Sequence, residues 1–165
     1  MADSNPVLLK AADIAKSAQT ISHPWNPKSQ ITGTMLAKMT GLKRTGVSIA
    51  RIAPGKESFI YHSHYYEEEW IYIISGKGIA EIDSKEYEVG AGDFMGFPTP
   101  SVAHHLRNAG TEDLVYLMGG ENLDHEVADF PKVGKRMIRK SAWNPGQPQV
   151  VEIVNIADVK PFGPL

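Results

Sequence analysis

The feature that most restricts this chain is a series of short apolar runs from Gly46 to Met118, punctuated by Gly and Pro. The runs are Val47 to Ala53, Ser58 to His64, Glu69 to Ser75, Gly78 to Asp83, Glu86 to Val89, Asp93 to Phe97, Val102 to Asn108 and Asp113 to Met118. Their short, regular spacing with turn residues between them predicts an all-β domain, a sandwich or antiparallel barrel. Ser75-Gly76-Lys77-Gly78, Asp83-Ser84-Lys85, Gly90-Ala91-Gly92 and Asn108-Ala109-Gly110 each separate two runs, which predicts antiparallel pairing of sequence neighbours.

The flanks have a different texture. Residues 1–45 combine a helical hint at Leu9 to Ala18 with a loop around His23-Pro24-Trp25-Asn26-Pro27, and are expected to form an N-terminal arm. Residues 46–120 are the expected barrel core. Residues 121–165 hold a basic stretch from Lys132 to Lys140, a Pro-Gly loop from Asn144 to Pro148 and a last apolar run from Val150 to Ile156. They are expected to pack on the barrel or on a second subunit. A chain of 165 residues, 42% of them hydrophobic, suffices for one core but not for two of ordinary size.

Charged residues make up 22% of the chain and the net charge is -2, so the basic footprint of a nucleic-acid binder is missing and a small molecule is the expected partner. Met1 to Lys10 contains no apolar run long enough for a signal peptide or a membrane span, so a cytoplasmic protein without a membrane partner is expected. With no cysteine, disulfides and thiolate metal sites are excluded, and His, Asp and Glu remain as the side chains able to grip a transition metal.

Four of the six histidines fall in two places, His62 with His64 and His104 with His105. Residues two apart on a strand face the same way, about 6.6 Å apart at Cα, so His62 and His64 converge while Ser63 faces away. Glu67-Glu68-Glu69 follows at once, and a carboxylate beside two imidazoles is a common shell for a divalent iron, manganese, cobalt, nickel, copper or zinc ion. Parity puts Glu67 and Glu69 on one face and Glu68 on the other. It likewise groups Val102, His104 and Leu106 against His105 and Arg107.

Gly55, His62-Ser63-His64, Glu69 and Gly76 resemble the first motif of the cupin family, and Gly92-Asp93-Phe94-Met95-Gly96-Phe97-Pro98 with His104 and Asn108 resembles the second. The resemblance implies a small single-domain cupin, a double-stranded β-helix or jelly-roll-like barrel, with one divalent transition metal ion (Fe, Mn, Ni or Zn) held by His62, His64, Glu69 and His104. It selects Glu69 by its interval to Gly76, and His104 over His105 by its interval to Asn108. Two departures stand out: six residues rather than five separate Gly55 from His62, and Pro100 stands where the second motif usually has Gly. Pro100 fixes φ and removes a donor, so the turn that aims His104 must differ from the usual one.

Other residues carry weaker signals. Glu67 and Tyr65, near the expected mouth of the barrel, are candidate acid or base groups, although Glu67 and Glu68 also read as a solvated acidic edge. Tyr61, Tyr66, Trp70 and Tyr72 read mainly as core or interface aromatics. Lys132, Lys135, Arg136, Arg139 and Lys140 read as a solvated face. Arg51 reads equally as an anion ligand or one end of a salt bridge. His23 and His125 read as ordinary exposed histidines.

An ion on three imidazoles and a carboxylate keeps open positions for substrate. By fold-level analogy the first expectation is a metal-dependent isomerase of the sugar-phosphate type. The second is an Fe(II)-dependent dioxygenase, and the third a non-catalytic sensor or small-molecule binding module. Cupins pair through N-terminal strands, so a homodimer is expected, with Pro6-Val7-Leu8-Leu9 as a possible exchanged edge strand. Elemental analysis of chelator-free protein reloaded anaerobically with Fe, Mn, Ni and Zn tests the site. Near-stoichiometric metal in the wild type, lost in His62→Ala and His104→Ala, is the expected result; no metal under any loading would leave the motif as scaffold alone.

Overall fold

A computed structural model describes residues 5–141 and 151–159. In chain order the elements begin with helix α1 (Ala11–Lys16), strands β1 (Gln19–Ile21) and β2 (Ile31–Met35), helix α2 (Leu36–Thr40), β3 (Thr45–Ile52) and β4 (Ser63–His64). They continue with β5 (Glu69–Ser75), β6 (Lys77–Ile82), β7 (Lys85–Gly90), β8 (Phe94–Phe97), β9 (His104–Arg107) and β10 (Leu114–Glu121). The last strands are β11 (Glu126–Phe130), β12 (Lys135–Arg139) and β13 (Val151–Asn155). Seven of the eight expected runs therefore appear as strands, Ser58 to His64 does so only at its end, and the helical hint shortens to α1.

Three sheets result: a six-stranded sheet in the order β1-β2-β3-β10-β5-β8, a three-stranded sheet β7-β6-β9 and a four-stranded sheet β13-β12-β11-β4. All strand pairs are antiparallel. Alternation along the strands sends Ile52, Ile73, Leu106, Leu114 and Tyr116 into one core between the first two sheets. A smaller cluster of Ile60, Ala128 and Phe130 lies under the third sheet.

Three expectations are corrected. Of the four turns, only Asp83-Ser84 closes a hairpin, with both residues at positive φ (50° and 61°), as the twist of a two-residue connection demands. The other three carry the chain from one sheet to another. At Gly76 (φ 84°) the crossing brings the backbone so near β10 that a Cβ would stand 2.4 Å from the Asp113 carbonyl oxygen, so only glycine fits. Secondly, residues 1–45 are more than an arm, because β2 pairs with β3 and β1 with β2 in the same chain. Residues 5–10 form no strand, and Val7 and Leu8 are exposed. Thirdly, the basic stretch is only partly a solvated face: Lys132 and Lys140 are exposed, though paired with Glu81 and Glu152, whereas Lys135–Arg139 forms β12, where Arg136 meets Asp129 and Arg139 is buried against Glu67. The last apolar run becomes β13, whereas the loop from Asn144 to Pro148 lies outside the described residues.

The run from Ser58 to His64 is only partly regular. Bridges join Glu57 to Arg107 and His62 to His104, so Ser58 to Tyr61 stand opposite just His105 and Leu106. The surplus bulges out of the ladder, which accommodates the long interval before His62 and leaves the His62-Ser63-His64 register intact.

Ile73 is fully buried where β5 faces the core, so Ile73→Ala should remove about 2–5 kcal/mol of stability. Urea unfolding measures this, and a loss under about 1 kcal/mol would mean that the two sheets close over the site without their central contact.

Candidate metal centre

Three separate pieces of backbone bring the predicted ligands together. His62 and His64 come from the bulged run and β4, Glu69 from the start of β5 and His104 from the start of β9. Main-chain bonds between His62 and His104 in both directions, at 2.8 and 3.1 Å, fix the two backbones side by side. Glu69 Oε2 lies 3.0 Å from His104 Nε2, 3.3 Å from His64 Nε2 and 3.6 Å from His62 Nε2. All four donor atoms fall within 4.8 Å of one another, so the set has the size and chemistry to hold one ion.

The far side of each ring explains why Nε2 points inward. His62 Nδ1 lies 2.6 Å from the Ile60 carbonyl oxygen and His104 Nδ1 lies 3.2 Å from that of Val102. A carbonyl only accepts, so both Nδ1 atoms carry protons, and the neutral ring keeps its Nε2 lone pair for an ion. His64 Nδ1 instead faces Glu126 Oε1 at 3.5 Å. Phe97 stacks on the His104 ring at 3.7 Å and 8°. Ser101 anchors the connection before β9, accepting from His64 N–H through its hydroxyl and donating its own N–H to the His64 carbonyl. That connection contains the cis Thr99–Pro100 bond.

The electrostatics follow from burial and pairing. Burial alone would raise Glu69, but the surrounding imidazoles of His104, His62 and His64 hold it well below the usual carboxylate range. Burial lowers His62, with Glu69 partly offsetting it. His64 feels the same burial, yet Glu126 on one side and Glu69 on the other raise it to about 9.

A cleft of about 270 Å³ opens onto the cluster, walled by Phe59, Met118, Glu67 and Glu121 beside His62 and His64. Glu67 is buried, and its Oε1 accepts from Leu123 N–H at 2.6 Å and from Arg139. Burial pushes its pKa up, while Leu123 and Arg139 pull the other way. Glu67 is thus no solvated edge, in contrast to the exposed Glu68.

The remaining candidates stand apart. Tyr65 does not line the cleft; its hydroxyl donates to Asp129 and accepts from Arg136 on the other side of β4. His105 turns away from His104 toward Glu57, 3.7 Å away. Arg51 ends a surface salt bridge with Asp113, and His125 is exposed. His23 is half-buried beside Phe130, whose ring also approaches His62. Asn108 is structural: its amide donates to the Ile52 and Glu112 carbonyls.

Sequence reading missed Glu126 and Arg139. Glu126 shares a strand face with Ala128 and Phe130, all three buried, and a carboxylate on an apolar face was the available signal. Arg139 offered none, since its partner Glu67 is far away in sequence.

Residues 48–120 match the family described as Cupin domain. Over 97% of this chain and 99% of the other, the structure is similar to a protein of Acidithiobacillus ferrooxidans assigned provisionally as a sugar phosphate isomerase, with 37% identity and a TM-score of 0.86. A sugar phosphate isomerase from a cupin superfamily, of Silicibacter pomeroyi, shares the fold at 17% identity and TM-score 0.72, covering 90% of this chain and 95% of that one. The uncharacterised protein MJ1618 of Methanocaldococcus jannaschii is 35% identical over 66 residues, 40% of this chain and 52% of its own, so the match spans about half of that relative. The chain belongs to the cupin family.

In metal-free protein the stability contributed by His64, whose pKa is raised on folding, is fully present below pH 6.5 and lost as the pH rises through about 9. Glu69 has the opposite sign, its contribution being lost on acidification. Thermal melts of chelator-treated protein should therefore fall between neutral pH and about 9, and His64→Gln should flatten that limb. An identical limb in the variant would contradict the assignment.

Proposed function

We propose that the chain is a metal-dependent enzyme that isomerises a small hydroxycarbonyl metabolite, with sugar phosphates as the first substrate class. The observation that carries this reading is Glu67, a second buried carboxylate in the wall of the cleft that opens onto His62, His64 and Glu69. Moving a carbonyl to the adjacent carbon requires electrophilic help at oxygen and a group that shuttles a proton between the two carbons. An ion held by His62, His64, Glu69 and His104 would supply the first as a Lewis acid polarising the carbonyl. Glu67 supplies the second. Its carboxylate removes the proton from the hydroxyl-bearing carbon beside the carbonyl, and the electron pair forms the enediolate double bond. The hydroxyl proton passes to the former carbonyl oxygen as the new carbonyl forms, and the acid returns the carbon-bound proton to the former carbonyl carbon. The balance closes without an oxidant.

Burial suits Glu67 to that exchange, because raising a carboxylate toward neutrality lets it both accept and release a proton. Arg139 and the Leu123 N–H orient it, and Phe59 and Met118 make the adjoining wall apolar. The likeness to the Acidithiobacillus protein over nearly the whole chain supports the substrate class.

The test is Mn(II)- or Zn(II)-loaded protein under nitrogen in D₂O with a panel of aldose and ketose phosphates, followed by NMR. Interconversion with deuterium entering at carbon is expected, and Glu67→Gln should lower kcat by about 10²–10⁴ with metal content unchanged. Turnover only with dioxygen uptake would replace this reading with a dioxygenase. Stoichiometric binding without turnover would replace it with a binding module.

A further inference from the structure

The family match ends at residue 120, but the candidate metal centre does not. β11 pairs with β4, setting Ala128 opposite His64 and Asp129 opposite Ser63, so the backbone of one ligand is held by the C-terminal sheet. From the same strand comes Glu126, whose side chain is 1% exposed. Its Oε1 accepts from Tyr65 N–H at 3.0 Å, and its Oε2 from Glu67 N–H at 2.7 Å.

The three histidines differ in how the ring is held. His62 and His104 each turn Nδ1 to the carbonyl two residues earlier, that of Ile60 and of Val102. The equivalent carbonyl for His64 is that of His62, and it is already taken by the His104 N–H at 2.8 Å. His64 Nδ1 is left buried and without a hydrogen-bond partner among the described residues, 3.5 Å from Glu126 Oε1. A buried imidazole N–H in that position is costly until it donates, and a shift of a few tenths of an ångström brings it onto the carboxylate.

We infer that Glu126 is the positioning residue of the metal centre: it holds the proton on His64 Nδ1 so that Nε2 faces the ion, and thereby makes the C-terminal sheet part of the site. This rests on reading His62, His64, Glu69 and His104 as a metal site. A carboxylate partner also makes the imidazole a stronger ligand than a carbonyl does, and loss of such a partner typically weakens metal binding 10–100-fold.

The experiment uses the full chain as wild type, Glu126→Gln and Glu126→Ala. Zn(II) and Co(II) affinities come from chelator competition, and ¹⁵N-histidine spectra of the Zn(II)-loaded proteins report the tautomers. Affinity about 10–100-fold weaker in both variants is expected, together with a wild-type His64 protonated on Nδ1 and a proton position that changes in Glu126→Ala. A role confined to capping the Tyr65 and Glu67 amides would leave tautomer and affinity unmoved in variants that fold, and that result overturns the inference. So does a wild-type His64 protonated on Nε2, which remains decisive if neither variant folds. A wild type that binds neither ion overturns the metal reading itself, and the inference with it.

Discussion

The centre depends on one constraint: the donor atoms of a carboxylate and three imidazoles must stay within 4.8 Å of one another inside the protein. Glu69 would be costly there without partners, since a buried charge loses its hydration and regains it only through well-placed donors. The three imidazole rings, with Nε2 at 3.0, 3.3 and 3.6 Å, are its polar neighbours. Because the four residues come from three separate pieces of backbone, side-chain flexibility alone cannot maintain the cluster. The main-chain exchange between His62 and His104 and the pairing of β5 with β8 and β10 maintain it instead.

Much of this was legible because a strand has period two. Parity alone put His62 with His64 and Glu67 with Glu69, and set His104 apart from His105. On β9 the structure follows that alternation: His104 and Leu106 are buried, while His105 and Arg107 engage Glu57 and Glu86. The path between sheets was not legible. A Gly-rich turn that closes a hairpin and one that crosses to another sheet have the same composition, because both need positive φ or close backbone approach. Only the space around Gly76, set by Asp113 far along the chain, distinguishes them.

Long-range pairing also hid the basic residues. Lys132 to Lys140 has the charge density of a solvated surface, yet Arg139 lies inside and neutralises Glu67. Each charge would be costly alone; together, with Leu123 N–H completing the set, they form a buried pair. Local sequence reports the charges but not the partner. Glu126 was hidden for a related reason, since its role depends on β11 lying beside β4, a contact between segments that no motif links.

The two carboxylates in the cleft differ in how their surroundings treat a charge. Glu69 and Glu67 are two residues apart and both line the cleft, yet their surroundings push them in opposite directions. Three imidazoles keep Glu69 ionised, which suits a group that must remain an anion beside a cation. Glu67 meets burial with one guanidinium and one amide, and burial wins, which suits a group that must change its protonation. Titratable groups driven apart by their environments mark a division of labour between holding and moving charge. The cupin barrel alone does not specify a reaction. That asymmetry is the physical basis of the proposed proton transfer, since one carboxylate is held as an anion while the other is pushed toward neutrality.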